Sequence, residues 1–252
     1  MTPTARADGS TVETEGEMIQ LWTASLDSVA QEAGRDGSLL SEGELERAGR
    51  LRFEVDRARF VASRVWLRLI LAARLGVGVS EIRLQTAAGG KPELAPPLPE
   101  WLRFSMSRSA SLGLYALARN QEVGVDLEAC SQFVDVEAVG RRFFSAGERG
   151  VLARLAGEQR QRGFYRIWTR KEAVLKSAGV GLDTEVTELD VSGDVAHWNL
   201  ALPGLPATGR SWFVHDLDVA PGYSAALAFE ATRPLGVPVV RDAAELLQDL
   251  DR

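Results

Sequence analysis

The feature that most limits what this chain can fold into is that it repeats itself. Arg64-Val-Trp-Leu-Arg68 and Arg166-Ile-Trp-Thr-Arg170 are near copies, each inside a long apolar-periodic helical pattern. Each pattern runs out at a Gly-Val-Gly step, Gly76–Gly78 in one case and Gly179–Gly181 in the other, and glycine just past a helix is the residue that most readily adopts the left-handed turn that ends it. Further on, Gly113-Leu-Tyr-Ala-Leu-Ala118 is echoed by Gly222-Tyr-Ser-Ala-Ala-Leu-Ala228. Two echoes in the same order predict a duplication: an α+β protein of two similar α/β subdomains related by a pseudo-twofold. The expected division is a flexible N-terminus over 1–16, an N-terminal subdomain over 17–120, a C-terminal subdomain over 121–232 that carries the acidic motif, and a tail helix over 233–252.

Local patterning fills in this frame. A strand is expected over 18–25, then an Arg-rich helical region that ends near Leu75. Residues 86–100 hold Gly89, Gly90, Pro92, Pro96, Pro97 and Pro99, enough breakers to predict no regular structure. Strands follow over 102–106, 113–119 and 124–127, helices over 134–155 and 159–177, and strands over 187–191, 211–217 and 223–230. Beyond Pro234 and Pro238 a short helix is expected, with Asp242 as its N-cap and Glu245 in the capping-box position.

The chain has 252 residues, is 45% hydrophobic and 25% charged, and can bury one sizeable core or two small ones. Its net charge of −6 argues against nucleic acid as the main partner, because backbone binding needs many cations to neutralise phosphates. Against that background Arg47, Arg50, Arg52, Arg57, Arg59, Arg64 and Arg68 form a local cationic stretch, which in the plain reading is a solvated helix face. Cys130 is the only cysteine, so a disulfide within the chain and a thiolate metal cluster are both excluded. With only His197 and His215, any bound metal must be hard and held by oxygen. A polar N-terminus and the lack of a long apolar run predict a cytoplasmic protein without a membrane span, expected to be a monomer.

Three segments concentrate acids and bases. In Gly124-Val-Asp-Leu-Glu128 a strand directs Asp126 and Glu128 to one face, where two like charges call for a cation. In Trp168-Thr-Arg-Lys-Glu-Ala-Val-Leu-Lys176 an aromatic, an acid and a base recur every four residues along one helix face. Between them lies Phe143-Phe-Ser-Ala-Gly-Glu148, in which Ser145 and Glu148 can form a capping box. Each nomination has a bland competitor. Asp126 and Glu128 can be polar residues where a strand leaves its sheet, Trp168 can be core, Cys130 a small buried hydrophobe, and Glu172 with Lys176 a surface pair worth roughly 0.3–0.5 kcal/mol. The internal copy discriminates: at the positions of Glu172 and Lys176 it has Ile70 and Arg74, so the helix scaffold keeps a cation, which suits a helix C-terminus, but does not require the acid.

In their order and separation these motifs, with Gly90-Lys91-Pro92 and Phe104-Ser-Met-Ser-Arg-Ser109 upstream, resemble the surfactin-type (Sfp-type) 4′-phosphopantetheinyl transferases over roughly residues 45–230. The resemblance implies that fold, with coenzyme A as substrate, Mg²⁺ as metal, and transfer of the 4′-phosphopantetheine arm to a serine of an apo acyl or peptidyl carrier protein, with release of adenosine 3′,5′-bisphosphate. It implies Asp126, Glu128 and Glu172 as metal ligands, Glu172 or Glu148 as the base, and Lys176 as the group that balances phosphate charge. Arg47, Arg52, Arg59, Lys91, Ser107 and Arg108, with Asp126 and Lys176, are expected to hold the coenzyme; Arg108 stands where the family usually has His, keeping the cation but not its titration. Arg142, Phe143 and Arg149 form the expected carrier-binding patch. The competing expectations are a coenzyme-binding or carrier-binding module without catalysis, and a Mg²⁺-dependent phosphohydrolase.

Overall fold

A computed structural model describes residues 19–27, 39–87, 90–131, 134–180, 186–193, 197–198, 211–232 and 236–250. Expectations placed on 1–18, Gly89, Gly181 and Pro234 lie outside these. The duplication reappears as topology. In the first half, strand β1 (Ile19–Ser25) leads through α1 (Glu42–Gly49) and the 22-residue helix α2 (Glu54–Leu75) to the hairpin β4 (Leu102–Ser109) and β5 (Leu112–Arg119). In the second half, β6 (Val123–Ala129) leads through α3 (Val136–Phe143), α4 (Ala146–Ala153) and the 22-residue helix α5 (Gly157–Ala178) to β8 (Ser211–Asp216) and β9 (Tyr223–Ala231). In both halves the last strand lies in the middle, antiparallel to both neighbours, in the orders β1-β5-β4 and β6-β9-β8. Each sheet gains a fourth strand outside the repeat, β10 (Val240–Asp242) parallel to β1, and β7 (His197–Trp198) beside β8. Both long helices end on a left-handed glycine, Gly76 at φ 66° and Gly179 at φ 70°.

Strand alternation sorts the apolar side chains into layers. On β5, Tyr115 and Leu117 face α2 and pack with Trp22, Phe60, Trp66, Ile70 and Phe104, while Leu114, Ala116 and Ala118 face the other sheet and meet Val123, Val125, Leu127, Phe213, Leu227 and Phe229. On the far side of the second sheet, Trp212, Val214, Ala226 and Ala228 pack beneath Phe164, Ile167 and Val174 of α5 and Phe144. The order is helix, sheet, sheet, helix. A buried large apolar side chain contributes about 1.5–3 kcal/mol, so these three layers of contact, and not the polar contacts at their margin, supply most of the stability.

That margin nevertheless matters for function. β4 and β6 are the edges of their two sheets, and serines at two-residue steps on β4 bridge them. Ser105 Oγ accepts the Val125 N–H at 3.1 Å and Ser109 Oγ accepts the Ala129 N–H at 3.0 Å. Hydroxyls thus take the place of a backbone ladder between the two halves.

Several local expectations need correction. The helix expected over 134–155 is two helices, because Ser145 leaves the helical conformation to cap α4. In place of a strand over 187–191 there is a 3-10 turn at Val186–Glu188, and the carbonyls of Val186, Leu189 and Val191 accept from Lys171 and Arg170 instead of from a neighbouring strand. The proline-rich segment does hold regular structure, a short hairpin of β2 (Leu84–Thr86) and β3 (Pro92–Leu94), in which Pro92 is tolerated as the first residue of its strand. The tail is not only a helix. β10 joins the first sheet, α6 (Ala244–Leu250) follows with Asp242 Oδ1 accepting the Ala244 N–H at 2.9 Å, and Leu246 and Leu247 pack on the first core.

Helix α5 is moored to the end of β8 by two arginines on one carboxylate. Arg170 binds both oxygens of Asp216 at 2.6 and 2.7 Å, and Arg166 Nε reaches Oδ2 at 2.7 Å. Burial pushes the Asp216 carboxyl up, but the two guanidiniums outweigh it and hold it below the usual carboxylate range. A depressed acid stabilises the fold above its unfolded value near 3.9 and ceases to do so as pH falls through its folded value. Asp216→Asn is therefore expected to melt below the parent protein at pH 7, with the gap narrowing once pH drops below about 4; a gap unchanged down to pH 2.5 in thermal melts contradicts the assignment.

Candidate active site

The odd-numbered residues of β6 fill the layer between the sheets, which turns Gly124, Asp126 and Glu128 toward α5. The helix descends as the strand ascends. The Trp168 indole donates to Glu128, Lys176 Nζ donates to Asp126 Oδ1 at 2.6 Å, and the turn from Ala173 to Ser177 lies directly over Gly124. From the other half, β4 contributes Ser107, whose Oγ donates to Asp126 Oδ1 at 2.9 Å and accepts from Lys176 at 3.1 Å, and Ser109, which donates to Glu128 Oε2 at 2.9 Å. A strand of one half and a strand and helix of the other therefore meet at a single group of side chains.

The group is short of positive charge. Asp126 is 3% exposed, and its Oδ2 has no hydrogen-bond partner among the described residues. Burial raises the Glu128 carboxyl, the charge of Asp126 adds to this, and Ser109, Lys176 and Trp168 oppose it. Glu172 is pushed up to about 7, first by burial and then by Asp126, with Lys176 only partly compensating and Glu128 adding to the rise. Three acids thus face one ammonium in a medium that penalises uncompensated charge. An orphaned carboxylate oxygen within an all-oxygen donor set fits a hard divalent cation such as Mg²⁺. Among the described residues, the acids are not already drawn together as a three-ligand cluster.

Glu148 lies elsewhere. It is fully buried and completes a capping box, with Oε2 accepting the Ser145 N–H at 2.7 Å and pairing with Lys171 at 3.0 Å, and with Oε1 accepting the Val191 N–H at 2.9 Å. Sealed from solvent and with both oxygens occupied, it cannot take a proton from an incoming hydroxyl. This corrects its nomination as a catalytic base.

The arginine run also divides. Arg47, Arg64 and Arg108 surround the ring of buried Phe60 at 5.8, 5.2 and 5.4 Å. Burial lowers Arg64 and Arg108, and the charge of Arg47 contributes to both. Arg64 belongs to this cluster although the sequence reading did not nominate it; its position four residues after Phe60 on one helix was the available signal. Arg59 is instead tied to Asp27 at 2.7 and 3.1 Å, Arg52 lies over exposed Phe53 at 5.3 Å, and Lys91 binds Glu122 at 2.7 Å and the Val123 carbonyl at 3.1 Å. Of the nominated carrier-binding residues, Arg142 and Arg149 are exposed, Arg142 over the Phe143 ring at 4.9 Å; Phe143 is half-buried, edge-on to Trp168 at 5.6 Å. In the first-half copy, Trp66 donates to the Ser25 carbonyl and Ile70 is buried in the core, so the matching position there is purely apolar.

A carboxyl raised in the fold destabilises it once ionised. For Glu172 the cost is absent below the unfolded value near 4.3, grows with pH, and is complete above about 7. In chelator-treated protein, Glu172→Gln is expected to be more stable than the parent at pH 8 by roughly 1–3 kcal/mol, and no more stable at pH 4. Thermal melts across this range check it, and a difference that does not vary with pH refutes it.

The protein-family description "4'-phosphopantetheinyl transferase superfamily" matches residues 122–228, from the approach to β6 into β9. The chain is 36% identical over 175 residues to the 4′-phosphopantetheinyl transferase HetI of Nostoc sp., covering 69% of this chain and 73% of that protein. It is 32% identical over 176 residues to a putative 4′-phosphopantetheinyl transferase of Synechocystis sp., covering 65% and 72%. It is 27% identical over 201 residues to the 4′-phosphopantetheinyl transferase Sfp of Bacillus subtilis, covering 78% and 85%. Acids and bases gathered where two like halves meet, and relatives that span most of their own lengths in this chain, lead to one assignment: the chain belongs to the 4′-phosphopantetheinyl transferase superfamily.

Proposed function

We propose that the enzyme is of the Sfp type and transfers the 4′-phosphopantetheine arm of coenzyme A to a serine of an apo acyl or peptidyl carrier protein. The observation that carries this is the meeting of Asp126, Glu128, Glu172 and Lys176 with Ser107 at the seam between the halves. Asp126, Glu128 and Glu172 would hold Mg²⁺. When bound, the metal neutralises phosphate charge and polarises the bond to be broken. Coenzyme A lies along the seam, with Arg47, Arg64 and Arg108 around Phe60 as the cationic cradle for a phosphate, and Ser107 at the diphosphate. Arg52 is exposed and can add to this cradle, whereas Lys91 and Arg59 contribute only if their pairs with Glu122 and Asp27 open.

The reaction forms a bond between the carrier serine oxygen and the β-phosphorus and breaks the bond from that phosphorus to the bridging oxygen. Adenosine 3′,5′-bisphosphate leaves with the electron pair. Glu172, the acid raised to about 7, is suited to take the serine proton near neutral pH. Lys176, 2.6 Å from Asp126, is suited to balance charge that builds on the leaving phosphate. The carrier docks through Arg142, Arg149 and Phe143, local cations on a chain whose net charge is −6. The enzyme acts as a monomer in the cytoplasm.

The test is to weigh an apo carrier protein after incubation with coenzyme A and Mg²⁺. Addition of phosphopantetheine by the parent protein, and a loss of at least about 100-fold in Asp126→Ala and Glu128→Ala with the fold intact, are expected. Turnover without a carrier, or near-normal transfer by either variant, overturns the proposal. Reversing Arg142 and Arg149 to Glu should raise KM for the carrier about tenfold or more and leave the Kd for coenzyme A unchanged. An unchanged carrier KM places docking elsewhere.

A further inference from the structure

Gly124 opens the acidic motif of β6, and its backbone gives no conformational reason for glycine, since it is not among the positive-φ glycines of the chain. Space is the reason. A Cβ built at Gly124 overlaps the carbonyl oxygen of Ala173 and the amide nitrogen of Ser177, and lies 3.0 Å from the Ala173 carbonyl carbon. All three are backbone atoms of α5, and no rotamer change can move them aside. Helix and strand therefore touch backbone to backbone at this point, and any side chain at 124 must lift the helix.

The turn that would be lifted is the one that matters. Ala173 and Ser177 immediately follow Glu172 and Lys176, and the Lys176–Asp126 contact of 2.6 Å lies two strand residues from Gly124. On the helix side Ser177 is 2% exposed, so this turn is buried where it meets the strand. Elsewhere α5 is moored by Arg166 and Arg170 to Asp216 and by Lys171 to Glu148. A side chain at 124 would thus tilt the C-terminal turns of the helix about anchors lying N-terminal to them, drawing Glu172 and Lys176 away from Asp126.

We propose that Gly124 is a positioning residue: by letting α5 rest on the backbone of β6, it sets the distance between the carboxylates of the strand and the acid and base of the helix. This deepens the proposed roles of Asp126, Glu172 and Lys176 and rests on them. The cradle around Phe60 belongs to α1, α2 and β4 and does not move with this turn, so the expected signature is selective. A displacement of about 1 Å at reacting groups costs on the order of 100-fold in turnover. Gly124→Ala is expected to lower kcat about 30–100-fold with KM for coenzyme A within about threefold of the parent. It should also be less than additive with Lys176→Ala, the double variant losing less than the product of the two single losses, because the share of the loss carried by the lysine contact has already gone.

The experiment measures kcat and KM for the parent, Gly124→Ala, Lys176→Ala and the double variant, with circular dichroism to verify folding. A folded Gly124→Ala with parental kcat, or with its loss confined to KM, overturns the proposal, as does full additivity with Lys176→Ala. Should Gly124→Ala fail to fold, Ser177→Thr adds a single methyl group at a buried residue of the same helix turn. A several-fold fall in kcat at unchanged KM then supports the proposal, and an unchanged kcat overturns it. Failure of the underlying reading would appear separately, as parental turnover in Lys176→Ala and Glu172→Gln within the otherwise natural chain.

Discussion

The site depends on the packing of one helix against one strand. α5 lies on β6 with Trp168 at Glu128, Lys176 at Asp126 and Ser177 at Gly124. Trp168 and Lys176 are eight residues apart, about 12 Å along the helix, whereas Glu128 and Asp126 are about 6.6 Å apart along the strand, so the two long side chains converge on the acids of the strand from either side of Glu172. A slip of one residue on the strand would send Asp126 and Glu128 into the apolar layer between the sheets and bring Val125 and Leu127 to the helix, which burial forbids. The register is thus enforced by the hydrophobic core, although its product is polar.

The duplicated architecture explains why the site lies where it does. Two sheets of the same topology stack face to face and leave their edge strands β4 and β6 side by side. An unpaired edge needs hydrogen-bond partners, and the serines of β4 supply them while also reaching Asp126 and Glu128. The halves then diverge in use. At the helix position where the second half has Glu172, the first has Ile70 in the core, so the two copies use one scaffold position differently, one for an apolar contact and the other for an acid. Two buried acids in separate places illustrate the same division. Glu148 is matched by Lys171 and two backbone N–H groups and belongs to the structure, whereas Asp126 keeps an unpartnered oxygen. A protein bears the cost of such an uncompensated group where a ligand is to meet it.

Much of this was legible in the sequence because periodicity and order survive without coordinates. The duplicated Arg-x-Trp-x-Arg helices, the glycine stops, most strands of both halves, the pair Asp126 and Glu128 on one strand face and the pair Glu172 and Lys176 on one helix face follow from spacing, since a helix or strand fixes which of its own residues share a face, whereas the joining of the two pairs into one group was implied by the family resemblance. What spacing could not supply was which faces meet. That Glu148 is sealed against Lys171, that the arginine run divides between Phe60, Phe53 and Asp27, that the tail adds a parallel strand to β1, and that Gly124 is a point of contact and not a hinge are all facts about partners distant in the chain. Local sequence determined each element and the side chains it presents; only the tertiary fold decided which of those side chains became neighbours, because burial, charge compensation and close approach are properties of pairs of surfaces.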